Sequence, residues 1–335
     1  MAEADEMRAT LERGGLLSPA DAARLTPLAG GVSCDVFKVE TASGRVFVAK
    51  RALPRLRVAA EWLAPVERAV TEVRWLNFVR TIDPRLAPEV LAECEAEHVF
   101  TLRLLDPATH PVWKSEMAAG RVDPAFAAAV GRDLARIHAA SAAQPALAAQ
   151  FRTDAQFLAL RVDPFLLHVA RRDPVAGPRL RALAADLMGR KIALAQGDIS
   201  PKNILAGPDG PVFLDAECAV WGDPAFDLAF CLTHLLLKTV WLKPHADALV
   251  QSFDALWAGY QPGVDWEPVA ELSARAAALV AALLLARIDG KSPAPYLTDE
   301  ADKACVRDRA YRLLDTQPLD LERLSRFWRT AQRGA

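Results

Sequence analysis

The sequence lacks the features of a disulfide-linked or zinc-binding protein, and it has no excess of charge of either sign. Its 335 residues include five cysteines, which are widely spaced and form no C-x-x-C pair. This pattern argues against a disulfide framework or a zinc site and indicates buried thiols in a reducing compartment. The net charge is −2, from 40 basic and 42 acidic residues, so a nucleic-acid partner or an anionic membrane surface is not expected.

Long hydrophobic runs are also lacking. Three of the first six residues are acidic, and no apolar core of a signal peptide follows. The two most apolar stretches are residues 226–242 and 276–286. The first contains Asp227, His234 and Lys238, and the second is shorter than the roughly twenty apolar residues that a membrane span needs. Both are predicted to be buried helices, and the protein is expected to be cytoplasmic with no membrane partner.

The composition changes near residue 105, from short β-rich runs to helical patterns rich in alanine and leucine. Residues 36–40 and 46–50 flank a glycine-containing loop, which is typical of a hairpin. Further elements are predicted as a helix at 66–80, a strand at 98–104, helices at 124–142, 178–191, 223–242 and 266–287, and a β island at 192–194, 204–205 and 212–214. The sequence therefore predicts an α+β fold with a small antiparallel-sheet lobe (1–105) and a large, mostly helical lobe (106–335).

The segment most informative about chemistry is QGDISPKNIL, residues 196–205, which is followed ten residues after Asn203 by FLDAE. Phosphoryl transfer depends on positioning and charge neutralisation more than on covalent chemistry. Asp198 can accept the proton of a hydroxyl group, while Asn203 and Asp215 supply the oxygen ligands that Mg²⁺ prefers. Glu217 is a further candidate ligand, either directly or through water. The pattern predicts a magnesium-dependent phosphoryl-transfer site.

This hairpin resembles that of the aminoglycoside phosphotransferase and choline kinase superfamily, in which H-G-D-x-x-x-x-N precedes a D-F/W-E segment. The next residues, GDPAFDLA at 222–229, resemble the family's G-D-P-x-x-D-L-A, whose second aspartate, Asp227 here, braces the catalytic loop. The resemblance implies a bilobal protein-kinase-like fold and transfer of the γ-phosphate of ATP to a hydroxyl of a small molecule. Gln196 replaces the family's histidine, and its amide can likewise donate and accept hydrogen bonds.

The N-terminal part of the chain extends the resemblance. Residues 28–39 are similar to the family's glycine-containing loop, whose backbone N–H groups cradle phosphates. Lys50 stands where the family has its ATP-binding lysine, and its acidic partner is expected on the following helix. Glu72 is preferred for this role and Glu67 is the alternative. The loop residues implied for ATP binding are Gly30, Gly31 and Ser33.

Local resemblance to methylthioribose kinases indicates the acceptor. The sequence KRALPRLR at 50–57, the residues Glu61, Trp62 and Pro65, and ERA at 67–69 resemble segments of that subgroup. RIDG at 287–290 resembles its R-R-I-x-G, with Ala286 in place of the first arginine, and RVDPF at 161–165 is similar to its D-P-Y segment. The resemblance implies a pentose-like acceptor bound by Arg161, Asp163 and Arg287.

Two alternatives remain open. One is a different acceptor, either an aminoglycoside, choline or an amino-alcohol such as homoserine. Aminoglycosides are polycations, so the basic residues Arg161, Arg287 and Lys202 disfavour them. The other is a nucleotide-binding pseudokinase or scaffold, which loss of Lys50, Asp198 or Asp215 would support; all three are present. A monomer or a homodimer is expected.

Overall fold

The small lobe is built on a sheet of five antiparallel strands. A computed structural model describes residues 2–28, 32–57 and 62–333. The strands lie in the order β1-β2-β3-β5-β4. Their bounds are β1 Ala23–Pro27, β2 Cys34–Thr41, β3 Val46–Ala52, β4 Val90–Cys94 and β5 Val99–Arg103, with a 3₁₀ turn at Glu95–Glu97. Helix α1 (Ala2–Arg13) precedes the sheet, and helix α2 (Arg68–Ile82) lies between β3 and β4.

The two faces of the sheet have different partners, because successive side chains of a strand point to opposite faces. On one face, Phe37 and Phe47 pack against Met7 and Leu11 of α1, which are one helical turn apart. On the other face, Phe100 and Leu102 join the large core that includes α2. Lys50 is paired with Phe100 in the β3–β5 ladder and therefore faces α2 and the large lobe.

The large lobe is mostly helical. Its helices are α3 Trp113–Ala118, α4 Pro124–Ala142, α5 Asp154–Phe157, α6 His168–Arg172, α7 Gly177–Gly189, α8 Ala225–Trp241, α9 Ala246–Tyr260, α10 Val269–Asp289, α11 Glu300–Asp315 and α12 Leu321–Arg333. A π-helix, Leu158–Leu167, joins α5 to α6, and 3₁₀ turns lie at Pro145–Ala149, Lys243–His245 and Gln261–Gly263. Two short ladders interrupt the helices: β6 (Ala193–Ala195) with β9 (Val220–Gly222), and β7 (Ile204–Gly207) with β8 (Gly210–Phe213).

Helices α8 and α10 form the centre of the large lobe. Helix α10 is long and apolar enough to cross a membrane by length and composition, but most of it is buried against α8 and α11. Helix α8 is buried from Ala225 to Val240. The prediction that both apolar runs are buried helices is confirmed.

The predicted α+β fold of two lobes is confirmed, including the β2–β3 hairpin and β5. Three elements of the small lobe were not predicted, namely α1, β1 and β4. Both strands are largely exposed, so they lack the alternation of apolar and polar residues on which strand prediction depends. The boundary that we propose near residue 105 falls between β5 and α3.

Candidate active site

The loop between β6 and β7 carries Asp198 and needs glycine before it. Gly197 has a φ of +83°, which side chains other than glycine rarely adopt. A Cβ atom at this position would also lie 2.7 Å from the carbonyl oxygen of Cys218. The glycine therefore allows the tight turn that presents Asp198 at the end of β6.

Asp227 holds this turn in place from the first turn of α8. Its carboxylate is fully buried and accepts hydrogen bonds from the backbone N–H groups of Gln196, at 2.6 Å, and Gly197, at 2.7 Å. His138 Nε2 lies 3.2 Å from the same carboxylate, and His138 Nδ1 is 2.6 Å from the hydroxyl of Tyr260. The predicted bracing role of Asp227 is confirmed.

Gln196 connects the loop of Asp198 to the segment of Asp215. Its Oε1 accepts a hydrogen bond from the backbone N–H of Asp198 at 2.7 Å. Its Nε2 donates to the carbonyl oxygens of Leu214, at 2.6 Å, and Asp215, at 3.2 Å. The amide thus acts as donor and acceptor together and joins the two backbone segments that carry Asp198 and Asp215.

Three donor groups surround the carboxylate of Asp198, which is 4% exposed. Asn203 Nδ2 donates to Oδ2 at 2.8 Å, Lys202 Nζ lies 3.1 Å from the same oxygen, and Arg161 Nη2 lies 3.0 Å from it. Arg161 comes from the π-helix, a geometry that is frequent at functional sites. The structure therefore brings Arg161, predicted to bind the acceptor, into direct contact with Asp198.

Lys50 links the two lobes through a pair of carboxylates. Its Nζ lies 2.7 Å from Glu72 Oε2 and 2.5 Å from Asp215 Oδ1. Burial raises the pKa of Glu72 although Lys50 opposes this shift. Burial would also raise the pKa of Asp215, but Lys50 and Lys202 lower it overall. The expected Lys50–Glu72 pair is present, and the ammonium group also balances the charge of Asp215.

The positions of Asn203 and Asp215 suit magnesium. The β7–β8 ladder pairs Ile204 with Phe213, and the N–H of Leu214 donates to the carbonyl oxygen of Asn203 at 2.9 Å, so Asp215 directly follows the residue that is hydrogen-bonded to Asn203. Among residues 2–28, 32–57 and 62–333, no group of three or more His, Cys, Asp or Glu side chains could hold a metal alone. Mg²⁺ usually takes one or two protein carboxylates together with substrate phosphates, so one carboxylate and one amide oxygen fit a metal that arrives with a nucleotide.

Glu217 has a different environment from Asp215. Its Oε2 accepts from Arg68 Nε at 2.8 Å and lies 3.4 Å from Cys34 Sγ. Arg68 is fully buried and also donates to the backbone carbonyl oxygens of Ser33 and Leu53. Arg68 belongs to the ERA segment at 67–69, but no role was predicted for it. The pair ties the segment after Asp215 to the small lobe.

The remaining predicted residues are more scattered. Asp163 is partly exposed and pairs with Arg171 at 2.7 Å, so its predicted contact with the acceptor gains no support. Arg287 is buried at the end of α10 and donates to the carbonyl and hydroxyl oxygens of Ser292. The carbonyl of Ser33 is held by Arg68. Gly30, Gly31 and Glu61 lie outside the described residues.

A sheet-based lobe and a helical lobe that meet at Lys50 and Asp215 define the class of bilobal kinase-like proteins. Residues 24–272 match the model of the phosphotransferase enzyme family. The match covers more than half of the chain, and the protein belongs to this family.

Curated relatives and solved structures agree with this assignment. The chain is 28% identical over 235 residues to a methylthioribose kinase of Yersinia enterocolitica, covering 61% of this chain and 57% of that protein. It is 26% identical over 254 residues to a methylthioribose kinase of Pectobacterium carotovorum, and this alignment covers 67% of this chain and 62% of that protein. The chain therefore spans about three fifths of the length of these relatives.

Two solved structures show the same fold. The amicoumacin kinase hAmiN, in complex with AMP-PNP, Ca²⁺ and Ami, has a TM-score of 0.58 and 14% identity, covering 96% of this chain and 99% of its own. A choline/ethanolamine kinase family protein from Mesorhizobium loti has a TM-score of 0.51 and 20% identity, with 99% of each chain covered.

Proposed function

We propose that the protein transfers the γ-phosphate of ATP, in the presence of Mg²⁺, to a hydroxyl group of a small polyhydroxylated molecule. A pentose-like sugar related to methylthioribose is the acceptor that the curated relatives favour. The proposal rests on two contacts. Gln196 forms hydrogen bonds with the backbone of both Asp198 and Asp215, and Lys50 of the small lobe forms an ion pair with the carboxylate of Asp215. These groups supply a base, a metal ligand and a phosphate-binding cation in one cleft.

Each residue has a defined part in the reaction. Asp198 orients the acceptor hydroxyl and takes its proton as the oxygen forms a bond to the γ-phosphorus. The bond from the γ-phosphorus to the bridging oxygen of ADP breaks in the same displacement, and ADP leaves. Lys50 holds the phosphates, and Asn203 and Asp215 would hold Mg²⁺, which neutralises phosphate charge when bound.

The alternative acceptors fit the site less well. Arg161 and Lys202 lie beside Asp198, and Arg287 is close enough for its charge to interact with that carboxylate. Cations at these positions repel an aminoglycoside, choline or a protonated amino-alcohol. A pseudokinase is also disfavoured, because the ion pairs of Lys50 with Glu72 and Asp215 are both formed.

Release of ADP tests the proposal. Purified protein with ATP and Mg²⁺ is screened against neutral sugars, including methylthioribose, and against aminoglycosides and amino-alcohols, with GTP and metal-free reactions as comparisons. Asp198→Asn should lower kcat by about 10²–10⁴-fold, the usual contribution of a general base, while stabilisation by ATP and Mg²⁺ in thermal melts persists. Asp308→Asn, at an exposed position of α11 whose carboxylate lies 3.6 Å from Arg312, is the matched control. Full turnover by Asp198→Asn would refute the assignment.

A further inference from the structure

Three basic side chains of the large lobe converge beside the catalytic loop. They are Lys114 of α3, Lys238 of α8 and Arg287 of α10, and we call them the cationic cluster. The Nζ atoms of Lys238 and Lys114 lie 4.6 Å and 5.5 Å from the ring centroid of Tyr296. His234 Nδ1 is 3.2 Å from the hydroxyl of Tyr296. The charge of Arg287 also acts on Tyr296 and opposes the rise in the pKa of its hydroxyl that burial causes, so side chains from three helices place positive charge near this ring.

The cationic cluster has no anion of its own. In the part of the chain that the structure describes, none of its three members forms an ion pair with a carboxylate. Lys238 is 1% exposed and Arg287 is 7% exposed. The Nε of Arg287 is buried without a hydrogen-bond partner. Buried charges in proteins are normally paired, since removing an unpaired charge from water is costly.

Electrostatic interactions connect the members of the cationic cluster to one another. Burial, together with the charges of Lys114 and Arg287, lowers the pKa of Lys238 to about 7. Burial and the nearby Lys202 and Arg287 lower the pKa of Lys114. The same cations, after burial, hold the pKa of His234 well below its usual value. An anion bound among these groups would relieve their mutual repulsion.

The cationic cluster adjoins the reacting centre. The backbone N–H of Lys114 donates to the carbonyl oxygen of Pro201 at 2.8 Å. The first turn of α3 is therefore in direct contact with the catalytic loop. The charge of Asp198 also acts on Arg287. Asp198 does not neutralise the cluster, because its carboxylate is already in contact with Arg161 and Lys202.

We propose that the cationic cluster is a binding subsite for an anionic group of the acceptor, so that the physiological acceptor is a hydroxylated carboxylate or phosphate ester. The anion would bind to Arg287, Lys238 and Lys114 while a hydroxyl group of the same molecule reaches Asp198. An arginine with a free N–H suits the planar recognition of carboxylate or phosphate oxygens. This inference rests on the proposed kinase function and replaces a neutral, methylthioribose-like sugar by an anionic sugar derivative as the preferred acceptor.

A set of acceptors with the same sugar framework but different charges tests the subsite. ADP release is compared for a pentose, its aldonic acid, its 5-phosphate and its amino-sugar analogue at constant ionic strength. The wild type should favour at least one anionic member over the neutral pentose by on the order of tenfold or more in kcat/KM, the value of one charge-assisted hydrogen bond. The aldonate and the phosphate ester distinguish a carboxylate from a phosphate. Equal or better turnover of the neutral or amino sugar would overturn the inference but leave the kinase function intact.

Variants of the cationic cluster complete the test. Lys238→Met and Arg287→Met should raise KM for the anionic acceptor, so that the ratio of its kcat/KM to that of the neutral pentose falls to about one. Lys243→Met, at an exposed lysine, is the control. Lys238→Met replaces a buried cation by an apolar side chain of similar length, so its melting temperature should not fall. An unchanged preference in Lys238→Met would overturn the proposal.

Calorimetry with inorganic phosphate and with the aldonate, without nucleotide, measures the subsite independently of turnover. Binding of at least one anion that Arg287→Met weakens supports the inference. If such binding occurs but no acceptor of any charge releases ADP, the proposed kinase function fails instead. If the wild type binds neither anion, the subsite does not exist.

Discussion

Arg161 Nη2 lies 3.0 Å from Asp198 Oδ2, and Arg161 Nε donates to the carbonyl oxygen of Gly197 at 2.5 Å. The same guanidinium group therefore contacts the candidate base and the glycine that turns the chain toward it. Arg161 is buried, and its Nη1 donates to the carbonyl oxygen of Leu160. These contacts make it a positioning residue for Asp198.

Replacing Arg161 separates this positioning role from acceptor binding. Arg161→Met should lower kcat strongly and leave KM for ATP unchanged, because the carboxylate of Asp198 loses a fixed partner while Lys50 is untouched. Arg161→Lys should recover part of the loss, since it restores charge without the bond to Gly197. Steady-state kinetics check both variants. If KM for the acceptor rises and kcat is unchanged, Arg161 binds the acceptor as the family resemblance implied.

The buried pair of Arg68 and Glu217 should act mainly on stability. Arg68→Met leaves a buried carboxylate unpaired, and removing one partner of such a pair costs about 3–5 kcal/mol. The double variant with Glu217→Gln should cost less than the sum of the single variants, because the contact is shared. Urea denaturation measures these differences in free energy of unfolding. A higher Mg²⁺ requirement of Glu217→Gln, without loss of stability, would instead indicate the metal-binding role predicted from the sequence.

Gln196 should make the catalytic loop insensitive to pH at a position where the family pattern has histidine. The Oε1 of Gln196 must accept a hydrogen bond from the N–H of Asp198. A neutral imidazole can accept this bond, but an imidazolium has only donors. Gln196→His should therefore stay active at pH 8 and lose activity as pH falls through about 6.5, the usual histidine pKa. The difference between the pH–rate profiles of variant and wild type is the readout, and identical profiles would contradict the assigned geometry.

The catalytic hairpin could be predicted from the sequence because its parts are close together in the chain and each requires a particular residue type. Asp198 and Asn203 lie in the loop between β6 and β7, and Asp215 follows β8. One local sequence pattern therefore identifies all three residues. The contacts of Arg68 with Glu217 join residues 149 positions apart, and no local pattern contains them. Lys238 lies in an apolar run, where periodicity indicates a core helix and gives no sign that the charges of Lys114 and Arg287 act on its ammonium group. Such long-range charge patterns depend on packing and become visible only in the folded chain.

Glu72 should contribute stability that decreases as the pH rises. Burial raises its pKa from the ordinary value of 4.5 to about 7. Between these two pH values Glu72 is protonated to a greater extent in the folded protein than in the unfolded chain. The folded state therefore binds more protons, and the free energy of unfolding falls with increasing pH across this window. The contribution is fully present below pH 4.5 and is lost as the pH passes through about 7.

The variant Glu72→Gln isolates this contribution because its amide cannot titrate. The free energy of unfolding of the wild type, relative to that of Glu72→Gln, should fall steadily from pH 5 to pH 7 in urea denaturation experiments. Glu300→Gln, at an exposed glutamate of α11, should run parallel to the wild type. A wild-type advantage that is constant or grows with pH would mean that Lys50 keeps Glu72 ionised throughout.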